Sequence, residues 1–211
     1  MFRLITLVVV PMFFVATSYG GLVKGNGGNT VVCQLESGKT TTELLDIVEA
    51  KGFIAPDTLH FSNLEKKSRT QALAEALEVI NSVRPQNSYA AWIRDFENDA
   101  VFINGVSLGV VADSYHYLVP KNCVVEQTVL QIEPIFHEAR YTINQDRWGQ
   151  LLPAHQAGLM MHELIYRDLQ DADSRRVRLI TAYLFSDEIR KLSLDQKITA
   201  LKNLGLVKSV N

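Results

Sequence analysis

The sequence predicts an α+β fold: a central antiparallel sheet of about four strands, flanked by N-terminal and C-terminal helices. Three observations lead there. Residues 40–97 repeat their apolar positions mainly with helical spacing, residues 100–146 mainly alternate, and the chain after Trp148 is helical again. Helices, then strands, then helices, with no regular strand–helix alternation, is the order of an α+β protein rather than of a parallel sheet.

Taken in order, Thr30 to Leu35 is a short β-type run containing Cys33. Thr40-Thr41-Thr42-Glu43 has the form of a capping box, with Leu44, Leu45, Ile47 and Val48 as the apolar stripe of the helix it would open and Gly52 as its stop. Ser62-Asn63-Leu64-Glu65 repeats that form and predicts a long helix to about Val83, closed by Pro85. A shorter helix is expected over Tyr89 to Glu97. Asn104-Gly105 then lies between two β-rich runs, and Asn-Gly tolerates the positive φ of a tight hairpin turn. "NCVVEQTVLQIE" and "ARYTINQD" read as two further strands joined around Pro134. The closing helices are expected over Pro153 to Gln170, from Asp173-Ser174 to Phe185, and from Ser193, with Gln196 completing a capping box, to Gly205.

A chain of 211 residues, 47% hydrophobic and 21% charged, is an ordinary globular composition able to bury a core. With 21 basic and 23 acidic side chains it offers no concentrated basic field, and nucleic acid is excluded as an expected partner. Arg175, Arg176 and Arg178 are the densest basic run; acids at 171 and 173 make it read as a solvated helix start. Residues 1–20 read as a secretory signal: Arg3, an apolar run from Leu4 to Ala16, then Ser18 and Gly20 at positions suited to cleavage. That run is shorter than the roughly 20 residues of a membrane span, and no later segment is apolar enough to supply one. Residues 21–29, "GLVKGNGGN", read as a flexible glycine-rich N-terminus, which leaves 30–211 as a single domain. The glycines lack the following Gly-Lys-Ser/Thr of a phosphate loop. Two cysteines, Cys33 and Cys123, in an exported chain are expected to form a disulfide. The expected location is therefore periplasmic or secreted.

The segment that raises a chemical question is "HQAGLMMHELIYRD", residues 155–168. His162-Glu163 begins like a zinc-peptidase helix, in which histidines four residues apart share one face and one Zn²⁺ while the glutamate activates the bound water. The residue four after His162 is Tyr166, whose phenol titrates near 10 and ligates poorly at neutral pH. His155 precedes His162 by two turns, about 10.5 Å along the axis, and Gly158 between them would admit a close neighbour. Two readings follow. In one, His162, Leu159, Tyr166 and Leu169 form a buried stripe, Glu163 pairs with Arg167 or Arg178, and Tyr166, Arg167 and Arg178 make up a structural polar cluster. Replacing Glu163 by Gln then lowers thermal stability. In the other, His155 and His162 hold a metal, with zinc as the cofactor this reading implies, and Glu163 is the catalytic base of a hydrolase with an unusual ligand set, completed by His60, His116 or His137. Glu133, His137 and Glu138, near the expected turn at Pro134, form a weaker candidate. No Gly-x-Ser-x-Gly elbow is present.

"GNGGNTVVC", "TELLDIVEA", "PKNCVVEQ", "HQAGLMMHELIYRD" and "DSRRVRLITAYLFS" together resemble a group of uncharacterised secreted proteins of Gram-negative bacteria, over most of the chain beyond residue 20. The resemblance implies an envelope or secreted protein and reinforces the disulfide. It implies no catalytic residues. The expectation from the sequence is an exported, non-catalytic protein that binds a small ligand or an envelope or extracellular protein. The alternatives are the metal-assisted hydrolase and an inhibitor or immunity-type protein.

Overall fold

A computed structural model describes residues 28–54, 58–109, 120–135, 137–170 and 174–207. The expected signal segment, residues 21–27 of the glycine-rich start and His116 lie outside them.

The protein is α+β, with a mixed sheet of five strands rather than four antiparallel ones. β1 (Gly28–Gln34) is antiparallel both to β2 (Thr40–Leu44) and to β4 (Cys123–Gln131). β5 (Tyr141–Asn144) is antiparallel to β4, and β3 (Val101–Ile103) lies parallel to β5, which gives the order β2-β1-β4-β5-β3. Gly28 and Asn29, expected in the flexible start, already belong to β1. Its positions 28–32 are buried without alternation, because an internal strand here is covered along its length.

Three local expectations are corrected. The segment Thr40-Thr41-Thr42-Glu43 is strand, not a helix cap: the branched threonines suit the sheet, where Thr42 faces Val32 of β1. α1 (Leu45–Glu49) starts directly after it and runs on as a π-helical turn over Ala50–Ile54. The second capping box is displaced by one turn of 3₁₀ helix, Leu64–Lys66; α2 (Arg69–Val83) is capped by Ser68, whose hydroxyl accepts from the Gln71 N–H at 3.1 Å. Ser62 instead donates its N–H to Asp187. At Asn104-Gly105 the positive φ is present, 67° at Gly105, yet residues 106–109 form no returning strand. The Gly105 N–H donates to Asp146 at 2.8 Å, and the strand before it is free to lie beside β5. The rest of the expected returning arm, 110–113, is outside the described residues.

α3 (Tyr89–Asp99) falls where expected, and α4 (Gln145–Gln150), capped by Asn144, ends the last strand two residues early. α5 (Pro153–Leu169) is the axis of the molecule, packing against β1, β2, α2, α3 and α6 (Arg175–Phe185). Its residues from Ala154 to Tyr166 are buried apart from Gln156, so it is covered on nearly all sides. Gly158 has the expected role: a Cβ there would lie 2.6 Å from Leu44 Cδ2, and its absence lets the end of β2 cross the helix closely. α7 (Glu188–Lys191) and α8 (Leu194–Asn203) close the chain, the latter with the expected Ser193–Gln196 capping box. Cys33 and Cys123 are directly opposed on β1 and β4 and are joined by a disulfide.

Candidate functional site

α1 carries two acids, Asp46 and Glu49, three residues apart and therefore on one face. That face meets α5 and α6. Asp46 Oδ2 lies 2.7 Å from His162 Nδ1, and Glu49 Oε2 accepts from Arg178 Nε at 2.6 Å. All four side chains are fully buried, and Arg178 is among the largest fully buried side chains. Arg178 also donates to the Ser174 hydroxyl at the start of its own helix. Three helices are thus tied by two ion pairs inside the core, where effective dielectric is low and an unpaired charge would be costly. Arg178, expected at a solvated helix start, is the reverse of solvated.

Glu163 is the next residue on α5 and turns toward the sheet. With the Gln131 amide nitrogen facing it, that side chain donates to Glu163 Oε2 at 2.8 Å and to the Glu163 carbonyl at 3.1 Å. Neither Arg167 nor Arg178 is its partner as expected: Arg178 serves Glu49, while Arg167 points outward to Asp95 at 3.5 Å and stacks over Trp92, its guanidinium carbon 4.5 Å from the ring centroid. Glu163 Oε1 makes no hydrogen bond among the described residues. It lies under Gly28, where a Cβ would come within 2.7 Å of it; the glycine allows β1 to pass over the carboxylate.

These surroundings set the protonation states. Burial pushes the Glu163 carboxyl up to about 7, with His162 opposing and Asp46 reinforcing the shift. For His162, burial favours the neutral ring, but the charge and hydrogen bond of Asp46, with Glu163 behind them, prevail and hold it above its ordinary value. His155 is pulled the other way, chiefly by burial, and stays neutral: its Nδ1 accepts the Leu44 N–H at 3.3 Å, supplying a cap for α1 that no side chain of residue 44 can give. The two histidines of α5 therefore hold successive parts of one junction, His155 the end of β2 and His162 the first turn of α1. Tyr166 and Arg178 are both buried, whereas Arg167 is partly exposed and pairs with Asp95.

Among the described residues no group of three His, Cys, Asp or Glu side chains is placed to hold a metal ion. His60 is on the surface, its ring 2.8 Å from Glu188. Glu133 takes both ends of the Arg140 guanidinium, and His137 and Glu138 line an open cavity together with Arg167 of α5. Asp46 and Glu49 escaped sequence reading because an apolar stripe explained α1 without them. The available signal was two acids flanking Ile47-Val48 in a helix too short to have a separate solvent face. Residues from four of the segments that carry the resemblance, Gly28, Asp46 with Glu49, His162 with Glu163, and Ser174 with Arg178, converge on this buried centre.

No family model matches the chain, and neither a curated protein nor a solved structure does.

Proposed function

We propose that this is an exported, non-catalytic binding protein of the bacterial envelope and that its His-Glu helix is a structural spine. One observation carries the reading: His162 and Glu163 are 0% and 1% exposed, and His162 is already engaged by Asp46. A general base must reach water or substrate, and a catalytic metal site keeps an open coordination position. Export is supported by the leader-like start of the sequence and by the paired cysteines, which suit an oxidising compartment.

Replacing Glu163 by Gln tests the structural role. A carboxyl whose folded value is raised from 4.5 to about 7 binds its proton more tightly in the folded chain. Its stabilising effect is therefore complete below about pH 4.5 and is lost as pH climbs to about 7. His162, raised above 6.5, acts in the same direction: its contribution is complete below 6.5 and disappears as pH rises through the folded value. Glutamine removes only the first effect. Thermal and urea denaturation of Glu163→Gln should show near wild-type stability at about pH 5 and a gain of up to about 3 kcal/mol at about pH 8. The pocket thus reverses, above neutral pH, the loss expected from sequence. A catalytic glutamate in an open cleft gives no difference at either pH, and that result defeats the reading.

A further inference from the structure

Beside the C-terminal end of α5 is an open cavity of about 590 Å³. α3 supplies Asp95 and Asp99, the loop between β4 and β5 supplies Glu138 and Arg140, β5 begins with Tyr141, and α5 contributes Arg167. Its size is that of a small-molecule site. Three of its charged groups are in ion pairs: Arg140 with Glu133 through two hydrogen bonds, and Asp95 with Arg167 over a longer 3.5 Å. Asp99 and Glu138 make no ion pair among the described residues. Arg167 is held in place by its stacking on Trp92 and retains N–H groups for a further acceptor.

Tyr141 singles the cavity out. It is 1% exposed; Arg167 lies within hydrogen-bonding reach of its hydroxyl oxygen, while the hydroxyl itself finds no acceptor among the described residues. Burial, with Glu163 adding to it and Arg167 opposing, raises the phenol to about 12, so it remains a donor at neutral pH. A buried donor without an acceptor is unfavourable unless something else supplies one. The cavity thus offers Arg167 as a donor, with the buried Tyr141 hydroxyl behind it, and its rim offers the acceptors Asp99 and Glu138.

We propose that the cavity binds a small zwitterion, an amino acid or short peptide with free amino and carboxyl groups, through Arg167, positioned by Tyr141 behind it, at its carboxylate and through Asp99 and Glu138 at its ammonium. A guanidinium held in place matches a carboxylate. The rim carboxylates disfavour a simple anion, and Arg167 disfavours a simple cation. The inference rests on the reading of the protein as a binding protein and gives it a site and a ligand class.

Titration calorimetry of the purified chain with glycylglycine, N-acetylglycylglycine and glycylglycinamide tests it. The free dipeptide should bind with a Kd of about 1 mM or tighter, and each blocked form at least about tenfold more weakly. Arg167→Gln and Tyr141→Phe should each weaken the free dipeptide by about tenfold or more, with thermal stability kept in Tyr141→Phe. No heat at about 10 mM dipeptide, equal binding of the blocked forms, or wild-type affinity in Arg167→Gln overturns the proposal. A protein partner captured by a chain that ignores all three peptides would overturn this site while leaving the binding function standing.

Discussion

Arg178→Met is expected to destabilise the protein by about 3–5 kcal/mol, a large part of the stability of a domain of this size. The substitution fills most of the volume but removes the cation from a carboxylate, Glu49, that is 0% exposed. Most of the loss comes from Glu49 being deprived of its cation in the core, not from the pair itself. The double variant Glu49→Leu/Arg178→Met should therefore recover most of it, since an apolar pair of similar volume is often no less stable than a buried ion pair. Urea denaturation of the two variants measures both effects. A loss below about 1 kcal/mol in the single variant would mean that water reaches the pair and that α1, α5 and α6 are not locked as described.

The second large effect is at the disulfide. Cys33 and Cys123 are 90 positions apart and join two adjacent strands of the sheet. Closing a loop of that length in the unfolded chain corresponds to about 4 kcal/mol on a chain-entropy basis. Cys33→Ala/Cys123→Ala should lower the melting temperature by roughly 8–16 °C, taking 2–4 °C per kcal/mol at this chain length. Wild-type protein melted with and without reductant should show the same shift. Free thiols in protein taken directly from producing cells would contradict both the bridge and the export proposed with it.

Much of the fold was legible because long periodic segments report their own burial. α5 and α8 appeared nearly at their bounds, since Pro153 and the Ser193–Gln196 box mark real helix starts. The failures share a cause: a local signal was overruled by a tertiary partner. Threonines with the spacing of a cap joined the sheet because β1 was available beside them. The Asn-Gly turn kept its backbone conformation but not its hairpin, because Asp146 takes the Gly105 N–H and β5 takes the strand. A parallel edge strand is specified by contacts distant in sequence, which alternation cannot express.

The candidate site was half legible. His162-Glu163 was recognisable, and the absent second histidine argued for a structural role. Its partners were not recognisable: Asp46 and Glu49 lie more than a hundred residues away from His162 and Arg178, and pairing across a core leaves no spacing to read. Glu163 was expected to need an arginine. It sits instead against a neutral amide under a glycine, a solution open to a carboxyl that can hold its proton.

Metal content tests the central claim most directly, measured by elemental analysis on tag-free protein purified without chelator. The sealed pair of His162 and Asp46 predicts zinc far below stoichiometric, unchanged when His162 is replaced by Gln. Stoichiometric zinc in the wild type, lost in a His162→Gln variant that remains folded, would contradict it.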